Sequence, residues 1–394
     1  MGGSHVTVMP DEALAHCDSV VLGEAEGCWE QLLLDVAAGN LRSLYHSTRY
    51  FNMKGSPIPR RDLLDVSQYL VPQTIETSRG CPYDCDFCSV TTVNGGTYRL
   101  RPVEEVVAEL AAMPKSNIFF VDDNVIGNPK RAKQLFRAMI PLKKWWGGQV
   151  TVNIARDPEL LDLAAASGCK FLFIGLESFT NRDLRKLGRF EHWRENFFLH
   201  IEAIRRKKIA IWGAFVLGMD TDSLESIEET IAYAIRGKLD LGQFTVLTPL
   251  PGTKVFREFV EQKRVFNFDW TEYTYGGVVM HPKQITAREL AEAFLRSWRK
   301  FYSFRGILKR LGWNIFGRQK LLLWVINLGI NRVLRYGLNK PLIAKNDPES
   351  VAAVAAVPKS LPENGLYSID RLYKHRLHIV PRERAAAATA EPKA

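Results

Sequence analysis

Strands and helices alternate six times between residues 73 and 262, and this alternation restricts the possible fold more than any other feature of the chain. The predicted strands are residues 74–78, 117–121, 149–153, 171–175, 209–216 and 243–247. The predicted helices are residues 102–113, 130–142, 158–167, 194–207, 223–236 and 254–262. Strands joined through helices pair in parallel and carry the helices outside. Six units are fewer than the eight of a closed barrel, so the pattern predicts an α/β fold with a partial, six-stranded (β/α)6 barrel.

Three cysteines directly after the first predicted strand are the strongest chemical signal in the chain. Cys81, Cys85 and Cys88 follow a C-x3-C-x2-C spacing, and they are half of the six cysteines present. Three thiolates this close can bind three irons of one iron–sulfur cluster, which leaves a further iron open to a substrate. Gly80 tolerates the dihedral angles of a tight loop, and Phe87 would shield the cluster from water.

Two other interpretations of these cysteines remain open. Structural zinc usually takes four ligands from two separated pairs, but the next cysteine along the chain is Cys169. Chance clustering of unreactive thiols is the second alternative. It would rarely place half of the cysteines within eight residues, so we favour the cluster.

The cysteine loop resembles the signature of radical S-adenosylmethionine (SAM) enzymes, which also have an aromatic residue just before the last cysteine. Its flanks, Ser78-Arg-Gly-Cys-Pro and Asp86-Phe-Cys-Ser, are similar to those of the subgroup with a preceding cobalamin-binding domain. The resemblance covers about residues 1–345. It implies a [4Fe-4S] cluster that chelates SAM and cleaves it to a 5'-deoxyadenosyl radical, with reduced flavodoxin or ferredoxin as the electron donor.

Polar residues follow the later strands, at the end where parallel barrels gather their chemistry. The candidate cofactor-binding residues are Phe87, Asp122, Asp123, Asn153, Arg156, Glu177, Thr248, Pro249 and Gly252. The resemblance implies that Asp122 or Asp123 contacts the SAM amino group and that Glu177 binds the ribose. It also implies that Arg156 pairs with the SAM carboxylate and that residues 248–252 hold the adenine. Helix capping or turn formation is the alternative for Asp123, Asn124 and Asp220.

The N-terminal residues resemble the second half of a Rossmann-like cobalamin-binding domain. The likeness lies in Gly2-Gly3-Ser-His5 and in a helix, a strand and an amphipathic helix predicted at 11–16, 19–22 and 26–40. The strand that normally precedes the glycines and the D-x-H-x-x-G motif are missing, so we expect Met1 to be an internal or mis-assigned start. A genuinely shortened protein is the alternative. The predicted divisions are a partial domain at 1–50, a linker at 51–72, the barrel at 73–265, a helical extension at 266–345 and a partly disordered tail at 346–394.

Charge is concentrated near the C-terminus of a chain whose net charge is +10. Residues 293–345 contain twelve Lys or Arg and no Asp or Glu. Together with Trp313 and Trp324, this composition suits basic helices that lie on a membrane surface. A solvated basic face packed on the barrel is the alternative, and nucleic acid is a less favoured partner. No apolar run reaches membrane-spanning length, so we predict a cytoplasmic protein with possible peripheral membrane contact.

These features favour a cobalamin-dependent radical SAM methyltransferase that acts on a small hydrophobic substrate. The C-terminal stretch resembles that of hopanoid and bacteriochlorophyll methylases, whose type of chemistry suits carbons without an acidic proton. Cyclisation, oxidation or rearrangement without methyl transfer is the alternative within this enzyme class. A non-catalytic, membrane-peripheral iron–sulfur protein is the alternative outside it.

Overall fold

A six-stranded parallel sheet forms the centre of the computed structural model. The structure describes residues 1–336 except 48, 70–72, 115–116, 178–192 and 314–317. The strands of this sheet are β3 (Thr74–Ile75), β6 (Asn117–Phe120), β7 (Trp145–Thr151), β8 (Cys169–Glu177), β9 (Ala210–Leu217) and β10 (Leu241–Val246). They are ordered β10-β9-β8-β7-β6-β3, so each strand pairs with its neighbours in the chain. This confirms the predicted α/β fold.

The helices that follow the strands also match the prediction to within a few residues. They are α5 (Val103–Ala112), α6 (Pro129–Met139), α7 (Pro158–Ala166), α8 (Trp193–Arg206), α9 (Leu224–Arg236) and α10 (Lys254–Glu261). Proline at the first position of α6 and α7 fits their starts, since this position needs no amide hydrogen. The side chains of Asn128, Asp157 and Ser223 cap α6, α7 and α9.

Two strands differ from the prediction for local reasons. The stretch 74–78 divides between β3 and β4 (Ser78–Gly80), which turns away to pair antiparallel with β5 (Tyr98–Leu100). Strand β7 begins four residues before the predicted start. Gly147 and Gly148 have no side chains, so they interrupt the run of apolar residues from which a strand is predicted. A Cβ on Gly147 would lie 2.8 Å from the Phe171 ring on the neighbouring strand. The glycine is therefore required by a close packing contact.

The barrel is open, and the loops at its carboxyl end connect its two edges. Strands β3 and β10 are the edge strands. Helix α4 (Ser89–Asn94) follows the cysteine loop, and its Thr92 hydroxyl donates to the Gly252 carbonyl at 3.0 Å. The Val255 amide donates to the Asp86 carbonyl at 3.1 Å. These bonds hold the cysteine loop against the loop that follows the last strand.

The N-terminal residues form a small unit beside the cysteine loop. It contains α1 (Ser4–Val8), α2 (Pro10–Leu14), β1 (Val20–Leu22), α3 (Trp29–Ala37) and β2 (Leu44–His46). Strands β1 and β2 form a two-stranded parallel sheet. The apolar side predicted on α3 is not buried: Trp29, Leu33 and Val36 are more than half exposed. A two-stranded sheet is too narrow to cover both the short helices and this face of α3.

Three helices follow the barrel: α11 (Ala287–Phe301), α12 (Phe304–Leu311) and α13 (Arg318–Tyr336). Thr286 and Glu289 form the capping box at the start of α11, as the sequence predicts. Helix α11 packs on β10, where Tyr302 donates to the Gly242 carbonyl at 2.8 Å. Among the described residues, no helix is both long and apolar enough to cross a membrane. The predicted tail at 346–394 lies outside the described residues.

Candidate SAM and iron–sulfur site

The three cysteines lie on one loop at the carboxyl end of the sheet, between β4 and α4. Cys85 is 5% exposed, whereas Cys81 and Cys88 are half-buried. The Cys88 amide donates to the Cys85 carbonyl at 3.0 Å, which closes a turn between the last two cysteines. Phe87 is partly buried against the main core. The loop therefore holds all three thiols at the rim, with one of them shielded from water.

Glycine is required at the entry to this loop. Gly80 has φ of 86°, and a Cβ there would lie 2.1 Å from the Thr97 carbonyl oxygen. Only glycine adopts this conformation readily, and no side chain fits the space. The chain can therefore leave β4 sharply and begin the cysteine loop at the next residue.

The donor set of this loop suits a cluster better than a single ion. Among the described residues, no three His, Cys, Asp or Glu side chains are grouped to hold one metal ion. A cubane needs no such grouping, because each of its thiolates binds a different iron. Three thiols within eight residues, without a neighbouring second pair, fit the three cysteine ligands of an open cluster.

Asp122 lies at the end of β6 and is only 2% exposed. Its carboxylate accepts hydrogen bonds from the Thr77 amide at 3.0 Å and the Thr77 hydroxyl at 2.8 Å, and a further one from the Ser78 hydroxyl. Burial raises the pKa of Asp122 to about 6, although these hydrogen bonds and the charge of Arg131 oppose the shift. The carboxylate thus joins β6 to the strand that leads into the cysteine loop.

Replacing Asp122 by asparagine should flatten the pH dependence of stability between about pH 4 and 6. A raised folded pKa means that the folded protein binds the proton more tightly than the unfolded chain, so stability is lost as pH rises through this window. The shift from 3.8 to about 6 corresponds to up to about 3 kcal/mol. Urea denaturation of the wild type and Asp122→Asn at pH 4 and pH 7 measures the difference. Equal pH slopes in the two proteins would contradict the raised pKa.

Asp123 is placed differently from its neighbour. It is half-buried, and its carboxylate lies at the Gly80 amide, immediately before Cys81. Burial raises the pKa of Asp123, although the hydrogen bond from that amide partly offsets the shift. Asp123 therefore lies beside the cysteine loop. Its carboxylate accepts fewer hydrogen bonds than that of Asp122, so it can accept further ones.

Two asparagines at the same end of the sheet have buried polar atoms without partners in the described part of the chain. Asn124 is 1% exposed, and neither its side-chain oxygen nor its nitrogen is hydrogen-bonded. Asn153 donates from Nδ2 to the Tyr83 hydroxyl at 3.1 Å, but its Oδ1 has no partner. Buried polar atoms rarely stay unpaired, so this region fits a polar ligand such as SAM.

Glu177, at the end of β8, adopts an unusual backbone conformation. Its φ is 55°, and the pairing of β8 with β9 shifts register between Gly175 and Glu177. A Cβ on Gly175 would lie 2.6 Å from Glu177 Oε1, so the carboxylate folds back over that glycine. Bulges and left-handed residues often redirect side chains at functional sites. Arg156 ends a short 3-10 helix after β7 and is exposed.

The loop after β10 contacts both the cysteine loop and the N-terminal unit. Thr248 is 4% exposed and donates to the Val246 carbonyl at 3.1 Å, and Pro249 follows it. Gly252 has φ of 88°, and a Cβ there would lie 2.5 Å from Thr92 and 2.8 Å from Val8. The candidate residues after the last strand are therefore near the cysteine loop, despite their distance in the chain.

Asp220 has a structural role that the sequence left open. It pairs with Arg264 at 2.7 Å and with Lys283 at 2.5 Å. Burial would raise the pKa of Asp220, but its hydrogen bonds to Arg264 and Lys283 lower it on balance. The carboxylate therefore anchors the segment after the barrel to the end of β9.

A buried ion-pair network beside the cysteine loop was not predicted. Glu24 of the N-terminal unit pairs with Arg79 and Arg99, each at 2.7 Å. Arg79 lies on β4 and Arg99 on β5, and Arg79 also pairs with Glu76 at 2.9 Å. The network attaches residues 1–50 to the hairpin that leads into the cysteine loop. Arg79 and Arg99 are brought side by side by the pairing of β4 with β5, so no local sequence pattern indicated the network.

The comparisons with known proteins agree with this geometry. The family model "Radical SAM superfamily" matches residues 75–234. The chain is 31% identical to the bacteriochlorophyllide d C-12(1)-methyltransferase of Chlorobaculum tepidum over 347 residues, which are 85% of this chain and 74% of that protein.

Two solved structures share the fold. One is the radical SAM methyltransferase TsrM from Kitasatospora setae with cobalamin and a [4Fe-4S] cluster bound (TM-score 0.59, 17% identity, 88% of this chain and 74% of that one). The other is the cobalamin-dependent SAM radical enzyme OxsB with aqua-cobalamin and SAM bound (TM-score 0.62, 15% identity, 85% and 58%). This chain thus spans less than two thirds of OxsB. From the family match and the methyltransferase likeness, we conclude that the chain belongs to the radical SAM superfamily of enzymes, which use SAM and a [4Fe-4S] cluster.

Proposed function

We propose that this enzyme uses its radical chemistry for cobalamin-dependent methylation of a small hydrophobic substrate. The observation that carries the proposal is the loop of Cys81, Cys85 and Cys88 at the carboxyl end of the sheet, in a chain 31% identical to a methyltransferase. When bound, the cluster supplies one electron that cleaves SAM into methionine and a 5'-deoxyadenosyl radical. The remaining steps depend on how the protein positions SAM and substrate.

We assign the SAM contacts to residues at the ends of β6, β7 and β8. Asp123 would accept hydrogen bonds from the SAM amino group, because its carboxylate lies beside the cysteine loop. Asn124 and Asn153 would hydrogen-bond SAM with their unpaired atoms. Glu177 would accept from the ribose hydroxyls and Arg156 would pair with the SAM carboxylate, a charge-assisted contact.

The remaining candidates enclose SAM from the sides. Phe87 is packed against the core next to Cys88 and would keep water from the cluster. The loop with Thr248, Pro249 and Gly252 would contact the adenine, since it is bonded to the helix that follows the cysteines. Excluding water protects a carbon radical from side reactions.

Replacing Asp123 by asparagine should weaken SAM binding by about tenfold or more, because the neutral amide loses a charge-assisted hydrogen bond to the amino group. Asp122→Asn is the matched control, since its carboxylate is occupied by Thr77 and Ser78. Equilibrium binding of SAM to the reconstituted proteins measures both. If Asp122→Asn binds SAM more weakly and Asp123→Asn does not, then Asp122 and not Asp123 contacts the SAM amino group.

Aromatic side chains at the rim support an apolar substrate. The Tyr275 carbonyl accepts from the Val246 amide at 2.7 Å, which places residue 275 at the end of β10. The Tyr275 side chain is 52% exposed. Nearby, the rings of Trp270 and Tyr273 lie 4.9 Å apart. Such rings contact apolar molecules and offer few charges.

The test is anaerobic reconstitution with iron and sulfide, followed by SAM and a reductant such as dithionite or reduced flavodoxin. The proposal expects 5'-deoxyadenosine, and it expects hydroxocobalamin added to the protein to shift its absorbance spectrum on binding. Production of 5'-deoxyadenosine without cobalamin binding would favour radical chemistry without methyl transfer. An intact cluster that produces none would favour the non-catalytic alternative.

A further inference from the structure

The side chain of Tyr83 joins the cysteine loop to the residues that follow β7. Tyr83 lies between Cys81 and Cys85 in the sequence. Its hydroxyl accepts a hydrogen bond from Asn153 Nδ2 at 3.1 Å, across 70 residues of chain. Its backbone is held as well, because the Thr91 hydroxyl of α4 donates to the Tyr83 carbonyl at 3.3 Å. Tyr83 therefore links the loop that carries the cysteines to a different strand of the barrel.

The amide of Asn153 is bound at one end and unused at the other. Asn153 belongs to the short 3-10 helix Val152–Arg156 that follows β7. Its Oδ1 is buried and has no hydrogen-bond partner in the described part of the chain. Rotation of the amide would break the bond to Tyr83, so Oδ1 stays directed away from the tyrosine. Because leaving a buried acceptor unpaired costs free energy, this position fits an N–H or O–H group of a bound ligand.

The strand register places Asn153 beside Glu177. Thr151 pairs with Gly175 where β7 and β8 end their pairing, and Asn153 and Glu177 each lie two residues further along. The 3-10 helix that contains Asn153 also contacts β8. Both side chains therefore lie at the carboxyl end of the sheet, in the region that we assign to SAM. The amino group and the ribose hydroxyls of SAM are donors that the free Oδ1 can accept from.

We propose that Tyr83 is a positioning residue for SAM: its hydroxyl holds the Asn153 amide so that Oδ1 accepts a hydrogen bond from the amino group or from a ribose hydroxyl. The inference rests on the SAM site assigned under the proposed function. The residue that orients Asn153 lies within the loop that carries the cluster ligands. One hydrogen bond therefore sets the end of β7 relative to the cysteines, and a fixed acceptor binds more tightly than a mobile one.

A purely structural role for Tyr83 is the alternative, and it has different consequences. The ring of Tyr83 is half-buried, and phenylalanine at this position keeps the ring while removing only the hydroxyl. If the hydroxyl is needed to fold the cysteine loop, its loss should lower the iron content of the protein. If it orients Asn153, its loss should leave the cluster unchanged and weaken SAM binding.

Equilibrium binding of SAM to the reconstituted full-length protein tests the proposal. Tyr83→Phe should bind SAM about fivefold more weakly, the effect of losing one hydrogen bond. Its iron content, and the electron paramagnetic resonance spectrum of its reduced cluster without SAM, should match those of the wild type. Tyr45→Phe is the matched control, because the Tyr45 hydroxyl donates to Asp35 at 2.8 Å within the N-terminal unit. This control should bind SAM as the wild type does.

A double-mutant cycle shows whether Tyr83 acts through Asn153. Asn153→Ala should weaken SAM binding by about tenfold. The double variant Tyr83→Phe, Asn153→Ala should bind SAM as Asn153→Ala does, because the hydroxyl then has no amide to orient. SAM analogues without the 2' or the 3' hydroxyl locate the donor. Loss of the Tyr83→Phe effect with one analogue assigns the contact to that hydroxyl, and an effect that persists with both assigns it to the amino group.

Three results would overturn the inference while leaving the proposed function in place. The first is Tyr83→Phe protein that binds SAM as tightly as the wild type. The second is a double variant in which the two effects multiply, since Tyr83 would then act independently of Asn153. The third is loss of iron from Tyr83→Phe, which would make the hydroxyl part of the fold of the loop. Wild-type protein that holds its cluster but does not bind SAM would instead overturn the proposed function, and this inference with it.

Discussion

Replacing Cys85 by alanine is expected to abolish cluster assembly and, with it, all SAM cleavage. The wild type should bind about four irons per chain after reconstitution, and the variant should retain almost none. The reason is geometric: Cys85 is the buried member of the three cysteines and closes the turn with Cys88. Cys169 cannot replace it, since this thiol is fully buried at the opposite end of β8. Iron content and the absorbance of the reconstituted proteins measure the effect.

Cys17→Ala is the matched control, because this half-buried cysteine lies in the N-terminal unit and outside the loop. It should bind as much iron as the wild type. Wild-type protein that binds zinc in place of iron, or Cys85→Ala protein that keeps its iron and produces 5'-deoxyadenosine, would contradict the assignment of the loop. Loss of iron in both variants would point to damage of the fold rather than of the site.

The fold could be predicted from the sequence because successive strand–helix units of the barrel lie next to one another in the sheet. The strands of this sheet are arranged in the same order as they occur along the chain. Once alternating strands and helices are recognised in the sequence, the order of the strands in the sheet follows directly. The rim of the site was also predictable, since the carboxyl ends of parallel strands lie together. This is why Cys88 and Gly252, more than 160 residues apart in the sequence, lie near each other through Thr92.

The burial of single side chains was not predictable in the same way. Asp122 and Asp123 are identical neighbours, and the hydrogen bonds that hold Asp122 in its buried position come from Thr77 and Ser78, about 45 residues away. The exposure of Trp29 likewise depends on the width of the N-terminal sheet. The sequence pattern of an amphipathic helix predicts that one side is apolar, but it does not predict which element packs on that side. The pairing of Glu24 with Arg99 spans 75 residues and leaves no local pattern.

The Glu24 network is expected to have the largest effect on stability. Glu24 is 7% exposed and accepts from Arg79, Arg99 and the Phe51 amide. Glu24→Ala would leave two mostly buried guanidinium groups without this partner, which typically costs about 3 kcal/mol of unfolding free energy. Burial alone would raise the pKa of Glu24, but its hydrogen bonds with Arg79, Phe51 and Arg99 lower it on balance. The network's stabilisation should therefore be present at pH 7 and lost as pH falls below about 4.5.

Urea denaturation of the cluster-free protein at pH 7 and pH 4 measures this effect, and Glu26→Ala is the matched control. Within the described part of the chain, Glu26 pairs with Arg79 alone, at 2.9 Å, and its side chain is 32% exposed, so its removal should cost about 1 kcal/mol or less. The Glu24→Ala protein should also become sensitive to proteolysis within residues 1–50, because the network attaches that unit to the hairpin before Cys81. Equal stabilities of Glu24→Ala and Glu26→Ala would show that the N-terminal unit is held by its apolar contacts, such as Val8 against Gly252, and not by charge.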